Sequence, residues 1–120
     1  MSDNQDIAHI YLATWNEIDD GQRRKLIAAR WSADARYVDP LMSGAGSEGI
    51  ALMIAAARAQ FPGHRFELRG TPDSHNDYVR FSWSLTAGEG HPIAEGTDIV
   101  RLDAAGRIAT VVGFLDPRPA

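Results

Sequence analysis

One acid constrains how the last third of this chain can fold. Residues 95–116, EGTDIVRLDAAGRIATVVGFLD, have the form of a hairpin, and Asp98 stands in its first strand on a face that is otherwise apolar. The segment Asp103-Ala104-Ala105-Gly106 suits a type I turn followed by a glycine at positive φ, a common three-residue hairpin closure. If Asp103 faces Arg107, then Leu102 faces Ile108, Val100 faces Thr110, Asp98 faces Val112 and Gly96 faces Phe114, all on one side of the sheet. A carboxylate among such neighbours must be paired, hydrogen-bonded or protonated, because burying it bare is costly. The rest of the chain is therefore read for what meets Asp98.

The chain offers few competing explanations. At 120 residues and 44% hydrophobic content it supports one modest core, so a single domain over 1–120 is expected. A net charge of −4, with Lys and Arg scattered, argues against nucleic acid or an anionic membrane as partner. There is no cysteine, hence no disulfide framework and no thiolate metal site. The first residues carry acids where a signal peptide has basic groups, and no apolar run approaches membrane-spanning length, so the expected location is cytoplasmic.

Apolar residues Ile7, Ile10, Tyr11, Trp15 and Ile18 fall at helical spacing, and Ser2 or Asp3 can cap that helix. Asp19-Asp20-Gly21 interrupts the pattern, which resumes over 22–31 with Leu26, Ile27 and Trp31. A short strand over 35–39, ARYVD, is ended by Pro40. Residues 42–47 read as loop; Ser47 then caps a third helix with Ile50, Met53, Ile54, Ala57 and Phe61 on one stripe, stopped by Pro62-Gly63. The period then changes to two: His64, Phe66 and Leu68 share one face, and after a turn over 70–76 so do Val79, Phe81, Trp83 and Leu85. A glycine-rich turn over 87–90 leads into the hairpin. These elements predict an α+β domain, three helices packed on a curved, mostly antiparallel sheet. Ile93, Ile99, Val111 and Leu115 fall on the opposite sheet face, which predicts a homodimer through that face.

This order of elements, with Asp-Pro after the short strand, GTDIVRLDAAGRI and a closing GFLD, resembles the nuclear transport factor two-like superfamily, in particular its SnoaL-like and ketosteroid-isomerase-like members. The resemblance spans nearly the whole chain. It implies a cystatin-like cone enclosing an apolar pocket for a small apolar or cyclic molecule, with no cofactor. By the isomerase pattern, Tyr11 in YLATWN and a protonated Asp98 correspond to oxyanion donors, and Asp39 in SADARYVDP corresponds to the base of a proton transfer beside a carbonyl. By the SnoaL-like cyclase pattern, Asp98 and His64 correspond to the acid–base pair. Trp15, Trp31, Met42, Phe81, Trp83 and Phe114 are the expected pocket walls. A non-catalytic ligand-binding module, or an interaction domain whose cavity the tryptophans fill, is the alternative.

Two motifs lead elsewhere and are set aside. Gly44-Ala45-Gly46-Ser47-Glu48-Gly49 matches G-x-G-x-x-G, with Glu67 at a suitable distance, but antiparallel strands follow it and no further βαβ unit is available for a dinucleotide. His75, Asn76 and Asp77 are consecutive in a turn, and no histidine pair has metal-ligand spacing, so no metal is expected.

Overall fold

The structure is a computed structural model and describes residues 4–87 and 91–117. Helices α1 (Asn4–Asn16), α2 (Asp20–Arg30) and α3 (Gly46–Gln60) are interleaved with strands β1 (Trp31–Val38) and β2 (Ser43–Ala45). Strands β3 (Arg65–His75), β4 (Tyr78–Thr86), β5 (Ala94–Leu102) and β6 (Ile108–Leu115) follow. They form one sheet in the order β2-β1-β6-β5-β4-β3. Every neighbouring pair is antiparallel except β1 and β6, which run parallel. The expected α+β class, with helices packed on a mostly antiparallel sheet, is what is found. The caps Ser2 and Asp3 and the turn at 88–90 lie outside the described residues.

The helices bury their apolar stripes against the inner sheet face. Ile7, Tyr11 and Trp15 of α1, Ile27 of α2, and Ile50, Met53, Ile54 and Ala57 of α3 join Val79, Phe81, Trp83 and Leu85 of β4 in one core. Asp19 caps α2 by accepting from the Gln22 backbone N–H at 2.8 Å. Arg23 is buried, and its Nε and Nη2 donate to the Glu17 carbonyl just past the end of α1, locking the two helices together. At the same end of α1, Asn16 pairs with the free edge of β3. It donates to the Phe66 carbonyl at 2.8 Å and accepts the Phe66 N–H at 2.7 Å, as a neighbouring strand would.

Several local expectations are corrected. Ile18 lies beyond α1 and is exposed. Trp31 opens β1 instead of closing α2, because it pairs with Ile108 of β6. Ser47 is not a cap: Gly46, at φ +75°, turns the chain into α3 after Ala45, and no side chain caps that end. Residues 43–45 are a short edge strand and not loop. Within it, a Cβ on Gly44 would stand 3.0 Å from the Gly49 carbonyl oxygen, so this glycine of the G-x-G-x-x-G match serves close packing. The turn expected over 70–76 shrinks to Asn76-Asp77, since β3 continues to His75 through an irregularity between Arg69 and Asp73.

The largest correction is in the hairpin. Its turn forms as expected, with Gly106 at φ +81° and the Asp103 N–H donating to the Arg107 carbonyl at 2.9 Å. Leu102 also faces Ile108, but Arg101 faces Thr110, so Ala109 is an extra residue on β6. Beyond this bulge every pair slips by one: Val100 faces Val111 and Asp98 faces Gly113. Val111 is therefore buried on the inner face, whereas Phe114 points outward and is 53% exposed.

Candidate active site

A cavity of about 110 Å³ opens between α1, the end of α3 and the inner sheet face. Its walls are mainly apolar and aromatic, from Leu12 and Trp15 of α1 to Phe66, Trp83, Leu85 and Leu115 of the sheet. Besides the indoles and Arg58, four polar side chains from three segments reach it: Tyr11 of α1, Tyr37 and Asp39 at the end of β1, and Asp98 of β5. Arg58 of α3 is the one cation among the lining residues.

Asp98 is at the centre of this arrangement and is 2% exposed. The Tyr11 hydroxyl, buried on α1, donates to Asp98 Oδ2 at 2.6 Å. Two glycines make the room. A Cβ on Gly113, directly across the strand pair, would lie 2.8 Å from Asp98 Oδ1, 3.1 Å from the Asp39 Cβ and 3.5 Å from the Tyr37 hydroxyl. All three groups thus crowd the point that Gly113 leaves free. A Cβ on Gly96 would lie 2.5 Å from the Trp83 ring, so this glycine lets the indole lie across β5. Asp39 is held by its own loop: Oδ1 accepts from the Leu41 and Met42 N–H groups, at 2.7 and 2.9 Å, and Oδ2 accepts from the Tyr37 hydroxyl.

Burial pushes the Asp98 carboxyl up to about 6. The Tyr11 hydroxyl and the Trp83 indole pull the other way, and the charge of Asp39 adds to the rise. Burial, followed by the charge of Asp98, holds the Tyr11 phenol well above its ordinary range. Tyr37 is raised for the same two reasons, reinforced by its bond to Asp39. Asp98 Oδ1, Trp15 Nε1 and Trp83 Nε1 are buried without a hydrogen-bond partner among the described residues. Trp83 is near enough to favour the Asp98 anion but does not reach hydrogen-bonding geometry. Buried polar atoms are rarely left unpaired, and here three border one cavity.

The sequence profile of the SnoaL-like domain matches residues 9–111. This chain belongs to the SnoaL-like family. A SnoaL-like protein from Agrobacterium tumefaciens strain C58, 54% identical, superposes with a TM-score of 0.93 over 98% of this chain and 100% of that one. A protein from Sinorhizobium meliloti, 16% identical, superposes at 0.70 over 93% and 99% of the two chains. One with a cystatin-like fold from Methylobium petroleophilum PM1, 19% identical, gives 0.73 over 98% and 78%. These last two share the fold. Comparison with proteins of curated function gave no match.

In this SnoaL-like chain the structure gathers Tyr11, Asp39 and Asp98 at one cavity, with Trp15, Met42 and Trp83 in its walls. It does not bring His64 there. The His64 ring packs edge-on against Phe61 with its Nδ1 beside the Pro62 carbonyl, because the strand begins one residue later, at Arg65. Trp31 and Phe81 lie behind the wall, packed on the Tyr11 ring at 5.7 and 5.2 Å between centroids. Phe114 faces outward because of the Ala109 bulge, and Leu115 lines the cavity in its place. Among the contributors not anticipated are Tyr37, Arg58, Phe66 and Gly113. Tyr37 has the parity of Asp39 in ARYVD, and Arg58 continues the α3 stripe after Ile54 by four residues, so both carried a periodic signal. Phe66 was placed on the inward face without a role at the pocket. Gly113 carried no signal until the register was known.

Proposed function

We propose that this protein is a small-molecule enzyme that moves a proton beside a carbonyl, using Asp98 as the acid–base group and requiring no cofactor. The carrying observation is the unpartnered Oδ1 of Asp98, buried in an apolar cavity while Tyr11 holds Oδ2. A carboxyl titrating near 6 is close to neutral pH, where it both accepts and returns a proton readily. Oδ1 takes the proton from the carbon adjacent to the carbonyl; the C–H electron pair moves into an enolate, and the same carboxyl returns the proton. The unpaired indole N–H groups of Trp15 and Trp83 are available to the enolate oxygen. Asp39, tied into its loop, raises the affinity of Asp98 for the proton.

The Agrobacterium relative bears the name "putative isomerase", which agrees with this chemistry. A cavity of about 110 Å³ suits one ring or a short chain, since an engineered apolar cavity of roughly 150 Å³ takes up benzene.

The test is conversion of cyclohex-3-enone to cyclohex-2-enone, followed by ultraviolet absorbance, with deuterium uptake from solvent as a second readout. With Asp98 as base, kcat/KM rises with pH through about 6. Asp98→Asn then loses on the order of 10²–10⁴ in rate. A second reading makes Asp39 the base and protonated Asp98 a donor; it is supported by the presence of Asp39 at the same cavity, and its signature is a rate that falls through the same pH. No turnover and no exchange with any small enolisable ketone leaves a binding module.

The outer sheet face is proposed as a homodimer contact. Its apolar members are Ile93, Ile99, Val112 and Phe114, since the bulge removes Val111 and Leu115 from the set expected.

A further inference from the structure

We propose that Arg58 binds an anionic group on the ligand, so that the substrate is a small carbonyl compound bearing a carboxylate. This deepens the proton-transfer reading and rests on it for the carbonyl end. Arg58 is half-buried in the last turn of α3 and forms part of the cavity wall. Its Nη1 donates to the His64 carbonyl at 2.7 Å, which fixes the guanidinium, and its other N–H groups meet no acceptor among the described residues. Among the described residues no carboxylate forms an ion pair with it. Its cationic neighbours are Arg23 and Arg65, which, with burial, make its proton easier to lose. A chain of net charge −4 thus leaves the one arginine in the cavity wall without a counter-ion among the described residues.

Helix-end electrostatics account for part of this, because a cation in the last turn of α3 complements the helix dipole. They do not require the residue to face an apolar cavity. Asp39 and Asp98 line the same cavity and repel an anion, which leaves Arg58 as the group that accepts one. A ligand with a carbonyl and a carboxylate is therefore oriented one way only. A planar guanidinium with free donors matches a carboxylate well.

The experiment is calorimetric titration of the full chain at pH 7 and low salt. The probes are phenol, which mimics the enol alone, and 4-hydroxybenzoate, 4-hydroxyphenylacetate and 3-(4-hydroxyphenyl)propanoate, which add a carboxylate at increasing reach. At least one acid is expected to bind about tenfold more tightly than phenol or better, as for other desolvated charge pairs. Arg58→Met should abolish that preference, bringing the acids to the affinity that phenol has for the same variant. Arg58→Lys, which keeps the charge without the fork, should retain part of it and decides the matter if the methionine variant fails to fold. Acids that bind no better than phenol, or a preference that survives both variants, overturn the proposal. Absence of all binding overturns it together with the proton-transfer reading. Acids that depend on Arg58 but are indifferent to Asp98→Asn leave the anchor standing and remove the proton-transfer reading alone.

Discussion

Asp98 costs the fold stability in return for a titratable group at the cavity. The native carboxyl titrates near 6 instead of its ordinary 3.8, so the folded chain holds this proton more tightly than the unfolded chain does. Its stabilising contribution is complete below about pH 4 and is lost as pH rises through about 6, a loss of roughly 3 kcal/mol from the shift alone. Asp98→Asn keeps an acceptor for the Tyr11 hydroxyl and has no charge to bury. Urea unfolding at pH 8 should therefore find the variant more stable than wild type by about 1–3 kcal/mol, with the gap closing or reversing at pH 4. A variant that is less stable at both pH values would mean that the native site stabilises the anion. Much at this scale was legible: Asp98 announced itself as a charge in an apolar pattern, and Tyr11 and Asp39 followed from the family pattern. His64 was misread because inward parity was extended one residue beyond the strand.

Among the elements, β6 shows where sequence periodicity stops being informative. The alternation of β4 is unbroken, and Val79, Phe81, Trp83 and Leu85 are all buried as their spacing predicts. In β6 the bulge at Ala109 shifts the phase within a run, ATVV, whose residues suit either face, so composition leaves no mark of it. What sets the register is tertiary. Tyr37 and Val38 of β1 pair in parallel with Val111 and Val112, and Gly113 must stand opposite Asp98. Inserting one residue after Ala109, with the bulge kept as it is, would set Asp98 opposite Val112, turn Phe114 inward opposite Gly96 and expel Val111 from the core. Thermal unfolding should show a loss of several kcal/mol, as for large errors in core packing, or no cooperative transition. An insertion variant with wild-type stability would mean that the sheet tolerates either register. The length of β1 was hidden for a related reason, since Trp31 has helical spacing and only its partner Ile108 makes it a strand residue.

At the scale of the whole molecule, the sheet has one face closed by helices and the other set with Ile99, Val112 and Phe114. Sedimentation of the wild type should give a dimer and Phe114→Asp a monomer that retains the cavity and its ligand binding; a monomeric wild type would remove the proposed contact. No described helix is long and apolar enough to cross a membrane. The arrangement of the core has one more consequence, an optical one. All three tryptophans of the chain lie in one aromatic cluster: Trp15 and Trp83 face the cavity with Phe66 edge-on to both, and Trp31 stacks on Tyr11. None is on the surface to add a constant background. Tryptophan emission from this protein is thus a report on one buried cluster at and behind the cavity wall, and a bound ring changes the surroundings of two of its three fluorophores directly.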